Sequence, residues 1–319
     1  MRKVEGLHHV TAISGSAQEN LDFYSGLLGM RLVKRSVNQD DPGTYHLFYA
    51  DADGSPGSDL TFFPWAQLAP SRAGAGLANE VSLAVPLDSL VWWEQRLATR
   101  DVPRGEVEMR FGERVLPFVD PHGLRVALVE SASATARGFA AWRESPVSAD
   151  RQIRGLDSAR IQVRQLGPTE AMLGGAMGYE RGANEGEWRR WTVAGGGSGR
   201  TIDVREVPQA PRGAWGTGSI HHLAFRVEDD AHQLAVRTQV TEAGGWPTDV
   251  IDRFWFHSVY FKEPGGVLFE LATDGPGFAV DEAPEHLGES LVLPPWLESH
   301  RGEIEAGLPP LRMPAAAEA

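Results

Sequence analysis

Two histidine pairs open two distant hydrophobic runs, His8–His9 in "LHHVTAIS" and His221–His222 in "IHHLAFRV". A third group, Glu270, stands between Phe269 and Leu271 in "VLFELATD". Each run reads as a strand, whose side chains alternate between two faces. His222 then shares a face with Ala224 and Arg226, and His221 shares the other with Leu223, Phe225 and Val227. The apolar face belongs under a helix, which leaves His222 pointing into the concave side of a curved sheet. By the same alternation His9 faces the concavity with Thr11 and Ile13, while His8 lies beside the core with Val10. A histidine at a strand start ordinarily makes a structural hydrogen bond, and Glu270 alone could pair with a cation such as Arg253. Two equivalent His-His pairs and a carboxylate in an apolar strand point further, because charged groups are almost never buried without a partner. A bound metal ion is such a partner. Two imidazoles and one carboxylate with open positions form the facial triad suited to non-haem Fe(II) and oxygen chemistry.

The elements that must position these groups repeat along the chain. Four times the pattern runs strand, amphipathic helix and three strands, with a Gly-rich turn before the last strand. Unit one runs from "LHHVTAIS" through the helix "SAQENLDFYSGLLG" to "DLTFFPW", and unit two from "EVSLAVP" through "DSLVWWEQRLATR" to "LRVALVE". Unit three runs from "SARIQVRQL" through "GPTEAMLGGAMG" to "RTIDVREV", and unit four from "IHHLAFRV" through "DDAHQLAVRTQVTEAGG" to "VLFELATD". The expected fold class is α+β, with four βαβββ modules and curved mixed sheets in two domains. Residues 1–135 would hold modules 1 and 2, residues 136–152 a linker of small, polar and Pro residues, and residues 153–280 modules 3 and 4. Residues 281–319 would form a tail rich in Pro and Glu. Alignment of the turns and first strands puts Ala127 where module 4 has Glu270, and Glu80 and Ser158 where the metal histidines would stand. Modules 2 and 3 therefore read as a metal-free counterpart. For His9 to meet His222 and Glu270, module 1 must pack against module 4. Asp88 or Ser89 could cap the second helix, and Asp40 and Asp41 before "PGTY" read as turn residues.

The bulk properties exclude several classes. At 319 residues the chain suggests about two domains, with a formal net charge of -13 and no cysteine. Scattered Lys and Arg disfavour nucleic acid as a partner, because neutralising phosphates needs clustered cations. No run approaches the roughly 20 apolar residues that cross a bilayer, so no membrane partner is expected. "MRKVEGLHHV" lacks the apolar stretch of a secretory signal. The absence of cysteine rules out disulfides, thiolate ligands and a cysteine nucleophile, and fits a cytoplasmic location.

These repeats, with His on the first strand and Glu on the last, resemble the vicinal oxygen chelate superfamily, which contains glyoxalases, bleomycin-resistance proteins and extradiol dioxygenases. More closely, "LHHVTAISGSAQENLDFYSGLLGMRLVKRSVNQDDPGTYHLFYAD", "TFFPW", "SIHHLAFRV", "YFKEPGGVLFELATDGPGFAVDE" and "EHLGESLVLPPWLE" resemble ring-cleaving dioxygenases that act on hydroquinones. The likeness spans nearly the whole chain. It implies an Fe(II) cofactor, with Mn(II) permitted by the ligand set, held by His9, His222 and Glu270 in agreement with the face argument. It also implies a small aromatic diol, of hydroquinone or catechol type, and O2 as substrates. Near the metal it places His8, His221 and Thr11. Tyr260 matches an acid/base or substrate-contact position and Arg253 one that steadies an anionic intermediate, against a core tyrosine and a surface charge as the alternatives. His46 and His257 are further acid/base candidates for which structural roles weigh more, and a homo-oligomer stays open. Two rivals share the fold. A glyoxalase-like isomerase or lyase would need a fourth protein ligand where "DLTFFPW" offers Phe62 or Phe63. A binding or resistance protein for aromatic compounds would ordinarily lack the triad.

Overall fold

The computed structural model describes residues 1–313, and residues 314–319 of the expected tail lie outside them. Module 1 comprises β1 (Leu7–Ser14), α1 (Ala17–Leu21), β2 (Arg31–Asn38), β3 (Asp41–Ala50) and β4 (Asp59–Pro64). Module 2 comprises β5 (Leu77–Val85), α2 (Leu90–Ala98), β6 (Glu108–Arg110), β7 (Glu113–Val119) and β8 (Arg125–Glu130). Module 3 comprises β9 (Gly155–Val163), α3 (Leu166–Ala171), β10 (Glu180–Glu185), β11 (Trp188–Thr192) and β12 (Thr201–Glu206). Module 4 comprises β13 (Ile220–Val227), α4 (Asp230–Glu242), β14 (Ile251–Asp252), β15 (Phe256–Lys262) and β16 (Leu268–Pro276). A short α5 (Arg301–Gly307) closes the described tail. No helix among the described residues is long and apolar enough to cross a membrane.

The βαβββ order is the expected one, but hydrogen bonding pairs the modules across the chain. One curled eight-stranded sheet runs β14-β15-β16-β13-β1-β4-β3-β2, and the other runs β10-β11-β12-β9-β5-β8-β7-β6. Module 1 thus shares a sheet with module 4, and module 2 with module 3. Residues 1–135 and 153–280 each contribute half of both sheets, so a division of the chain at 136–152 does not separate two sheets. At the centre of the first sheet β1 pairs antiparallel with β13, while the flanking pairs β1–β4 and β13–β16 are parallel. Both sheets are therefore mixed.

Local chemistry explains the helices. Ser16 caps α1 by accepting from the Glu19 amide, and the chain then widens into a π-turn over Asp22–Leu27. The same switch follows α3, over Met172–Ala176, so the two expected long helices are each broken at one place in the repeat. For α2 neither Asp88 nor Ser89 supplies the cap. The Ser89 hydroxyl donates to the Pro86 carbonyl, and the Glu130 carboxylate accepts from the Leu90 amide. Leu21, Tyr24 and Leu28 bury against Val10, Leu60 and Phe62 on the convex side of the first sheet. Its concave side carries a separate cluster of Val33, Phe48, Ala224, Trp255, Phe256, Ala272 and Phe278.

The tail packs onto module 1. The fully buried Lys34 donates to the Phe278 carbonyl at 3.0 Å, to Asp281 at 2.7 Å and to Glu282 at 2.5 Å. Arg31 donates to the carbonyls of Pro284, Glu285 and Leu287. Removing one member of a buried ion network leaves the others uncompensated, at a cost of about 3–5 kcal/mol. Lys34→Ala is therefore expected to lower the free energy of unfolding by about that amount, measured by urea titration. A change under about 0.5 kcal/mol would show that the network contributes little.

Candidate metal centre

Antiparallel pairing of β1 with β13 sets the site. The ladder aligns His9 with Ala224 and Thr11 with His222, and the parallel neighbour aligns Ala224 with Glu270. His9, His222 and Glu270 are buried, Glu270 completely. His9 Nε2 lies 3.2 Å from His222 Nε2 and 3.3 Å from Glu270 Oε2, and His222 Nε2 lies 2.9 Å from that oxygen. Bonds of about 2.1 Å at right angles put neighbouring ligand atoms about 3.0 Å apart, so this triangle has the size of one face of an octahedral metal site. Glu270 Oε2 is buried without a well-directed hydrogen bond, and its lone pairs converge with those of two imidazoles. These three residues fit a divalent cation by donor set and by spacing.

The first histidine of each pair sits where alternation breaks. Between Leu7 and His9 the partner strand advances one residue while β1 advances two, and between Thr11 and Ala12 the excess falls on β13. His8 and His221 are thus bulge residues, a device common beside active sites. Neither lies on the expected core face. Each instead turns its Nδ1 to that of its neighbour, His8 to His9 at 2.9 Å and His221 to His222 at 2.8 Å. If the ligand Nε2 carries the lone pair, the ligand Nδ1–H donates and the companion nitrogen accepts, which fixes the ligand tautomer. Acceptance requires neutral companions. Burial, reinforced by the neighbouring imidazole, pushes both His8 and His221 down from 6.5 to about 3. His221 is further held by stacking on Trp215, with Phe63 and Trp65 at its edge.

Burial also drives Glu270 toward protonation, but His9 and His222 outweigh it and hold the carboxyl well below its ordinary range. Burial lowers His222 against the pull of Glu270. The second carboxylate oxygen accepts from Ser258 Oγ at 2.5 Å. The sequence pattern does not single out Ser258, although it stands two residues before Tyr260 on the same strand and so on the same face.

The triad opens onto a cavity lined also by Asn38, Gln39, Asp40, His46, Phe48, Phe63, Arg253, Trp255, Phe256 and Tyr260. Tyr260 packs edge-on against His222, with ring centroids 5.6 Å apart, and burial with the charge of Glu270 raises its hydroxyl well above the usual tyrosine value. Arg253 lies over the Tyr260 ring and donates to both oxygens of Asp40, at 3.1 and 2.8 Å. The carboxylate that partners Arg253 is therefore Asp40 and not Glu270, and Asp40 does more than form a turn. Thr11 touches no metal-site atom through its hydroxyl, which bonds Thr61 Oγ1 at 2.7 Å, and Thr61 in turn bonds His46 Nε2 at 3.0 Å. His257 pairs with Asp230 at 2.6 Å and does not line the cavity.

The second sheet repeats the register without the ligands. Ser82 pairs with Ser158 and with Ala127, as Ala224 pairs with His9 and Glu270. Its concave side is filled by paired charges: Arg110 donates to Glu80 at 2.5 Å, Arg190 to Asp203 at 2.9 and 3.1 Å, and Arg160 lies between the two acids.

Comparison with known proteins adds independent findings. The Glyoxalase/Bleomycin resistance protein/Dioxygenase superfamily is matched over residues 6–271. A Bacillus subtilis (strain 168) protein named as a candidate ring-cleaving dioxygenase, MhqO, is 43% identical over 312 residues, 98% of each chain. The chlorohydroquinone/hydroquinone 1,2-dioxygenase of Sphingobium indicum is 34% identical over 310 residues, 95% of each chain. A crystal structure of a candidate dioxygenase from Bacillus subtilis superposes with a TM-score of 0.91 at 43% identity, over 98% of this chain and 99% of that one. Glyoxalase I from Zea mays, at 13% identity and a TM-score of 0.60 over 84% and 92% of the two chains, shares the fold alone.

Two outcomes follow from this geometry. Glu270→Gln keeps the shape and the Ser258 contact but removes the charge. After incubation with Fe(II) or Mn(II) and desalting, the wild type should retain about one ion per chain and the variant under a tenth of that; equal retention would contradict the site. The second outcome concerns pH. In the metal-free protein His8 and His221 stay neutral down to about pH 3, whereas unfolded histidines protonate near 6.5. The unfolded chain then binds more protons, so this contribution is present above 6.5 and is lost as the pH falls toward 3. Relative to His221→Gln, the wild type should lose up to about 1.4 kcal/mol of stability per pH unit across that window. Parallel stability curves would show that His221 stays exposed to protons.

Proposed function

The chain belongs to the glyoxalase/bleomycin resistance protein/dioxygenase superfamily, and from that premise we propose that it is an Fe(II)-dependent ring-cleaving dioxygenase that inserts O2 into a small aromatic diol, of hydroquinone type before catechol type. The observation that carries this reading is the buried triangle of His9, His222 and Glu270 beneath an aromatic cavity. Homologues named as ring-cleaving dioxygenases, one of them a hydroquinone dioxygenase, support it. The register that sets Glu270 beside Ala224 sets Thr61 beside Thr11, so Thr61, and neither Phe62 nor Phe63, stands where an isomerase of this fold would need another protein ligand, and it offers no carboxylate.

His9, His222 and Glu270 would hold the iron, which when bound supplies a Lewis acid for a ring oxygen and a redox route to O2. The remaining work falls to side chains. His8 and His221 keep the ligand imidazoles in one tautomer, and Ser258 holds the carboxylate. Phe48, Phe63, Trp255 and Phe256 wall the cavity and would receive an aromatic ring and exclude water from it. The raised affinity of Tyr260 for its proton keeps the hydroxyl neutral, so it can donate to a ring oxygen and carry a proton to or from it. Arg253, held by Asp40, places a fixed positive charge beside Tyr260, where an anionic ring or ring-opened acid would be stabilised.

Oxygen-electrode assays on anaerobically iron-loaded protein test this, with hydroquinone, methylhydroquinone and catechol as substrates. The expected result is iron-dependent uptake of one O2 per diol consumed, with a kcat lowered by about a hundredfold or more in Tyr260→Phe. No uptake with any diol, or uptake indifferent to iron, would overturn the reading.

A further inference from the structure

One imidazole in the cavity is not used by the scheme above. His46, on β3, is clamped between Phe48 and Phe63, with ring centroids at 3.8 and 4.4 Å. Its Nε2 is tied at 3.0 Å to Thr61 Oγ1, and Thr61 to Thr11 at 2.7 Å, both threonines being fully buried. One edge of the ring is therefore fixed, while Nδ1 makes no hydrogen bond among the described residues. Arg253, Gln39 and Asn38, also on the wall, each already hold a partner within the protein. Arg253 donates through both terminal nitrogens to Asp40, Gln39 Nε2 donates to the Arg253 carbonyl, and Asn38 Oδ1 accepts from the Asp40 amide. Tyr260 stands against the ligand His222, at the metal end.

We infer that His46 is the group that receives the second hydroxyl of a para-diol, the one on the far side of the ring from the metal triad. The inference rests on the reading of the cavity as an aromatic-diol site. A para-diol anchored at the triad carries its other hydroxyl away from the ligands along the aromatic wall that includes His46, where an unpartnered buried hydroxyl would cost about 1–3 kcal/mol. Nδ1 of a clamped imidazole can satisfy it as donor or acceptor according to tautomer. A catechol has no such need, because its second hydroxyl stays beside the first. His46 then serves as a specificity-determining residue, and Thr61 and Thr11 act through it as positioning residues. This gives Thr11 a role although its hydroxyl makes no bond to a triad atom.

The test is anaerobic binding of hydroquinone, catechol and phenol to iron-loaded protein by calorimetry, comparing wild type with His46→Phe and His46→Gln. Phenylalanine keeps the aromatic stack and removes both nitrogens. The expected result is roughly tenfold weaker hydroquinone binding in His46→Phe, the equivalent of one hydrogen bond. Phenol and catechol should change less than about twofold, and His46→Gln should recover part of the hydroquinone affinity. An unchanged hydroquinone affinity, or an equal loss for all three ligands, would overturn the inference. Should His46→Phe fail to bind iron, the comparison passes to His46→Gln and Thr61→Val, whose losses must again be confined to hydroquinone. Wild type that binds hydroquinone selectively yet takes up no O2 would refute the dioxygenase and leave the role of His46 intact. Wild type that binds none of the three would refute both.

Discussion

A carboxylate with no access to water, facing two imidazole nitrogens across gaps of 2.9 and 3.3 Å, is the constraint on which the rest of the structure turns. Burying an ionised carboxylate costs several kcal/mol unless a charge partner and hydrogen bonds offset it. Ser258 satisfies one oxygen. The other meets only the histidine nitrogens, and a metal ion shared by all three would convert an electrostatic penalty into a coordination site. Everything around the triangle keeps it in shape, from the companion histidines on their bulges to the aromatic wall that shields it.

The sheet that holds the triangle joins the two ends of the repeat array. Because β1 and β13 are central neighbours, ligands 213 residues apart meet side by side. The parallel strand β16 adds Glu270 at the matching register. The second sheet shows what the same frame holds without a metal. Glu80 and Asp203 occupy its concave side with Arg110, Arg160 and Arg190, so the fold fills that volume with side-chain cations instead. One half-barrel gathers a donor set that fits a divalent cation, and the other holds a buried ion network.

Much of this is legible in the amino-acid order. Period-two alternation singles out His9, His222 and Glu270, the turn alignment gives Ala127 as the counterpart of Glu270, and the alignment of first strands gives Glu80 and Ser158 as those of the histidines, because all three depend only on local geometry. The bulges at His8 and His221 are not legible, since alternation assumes an unbroken ladder and an extra residue reverses the face. Pairings between remote loops are equally hidden: nothing near Asp40 announces Arg253, and nothing near Lys34 announces Asp281 and Glu282. The π-turns after α1 and α3 also escape the reading, since apolar spacing there still looks helical. The docking of the tail follows from these unread contacts.

The central claim is that a single divalent ion joins the two termini of the repeat array, and diffraction at the iron absorption edge from crystals loaded anaerobically with Fe(II) tests it most directly. The account predicts one anomalous peak, within about 2.0–2.3 Å of His9 Nε2, His222 Nε2 and a Glu270 oxygen. A peak elsewhere in the molecule, or none at that position in iron-saturated crystals, would contradict it.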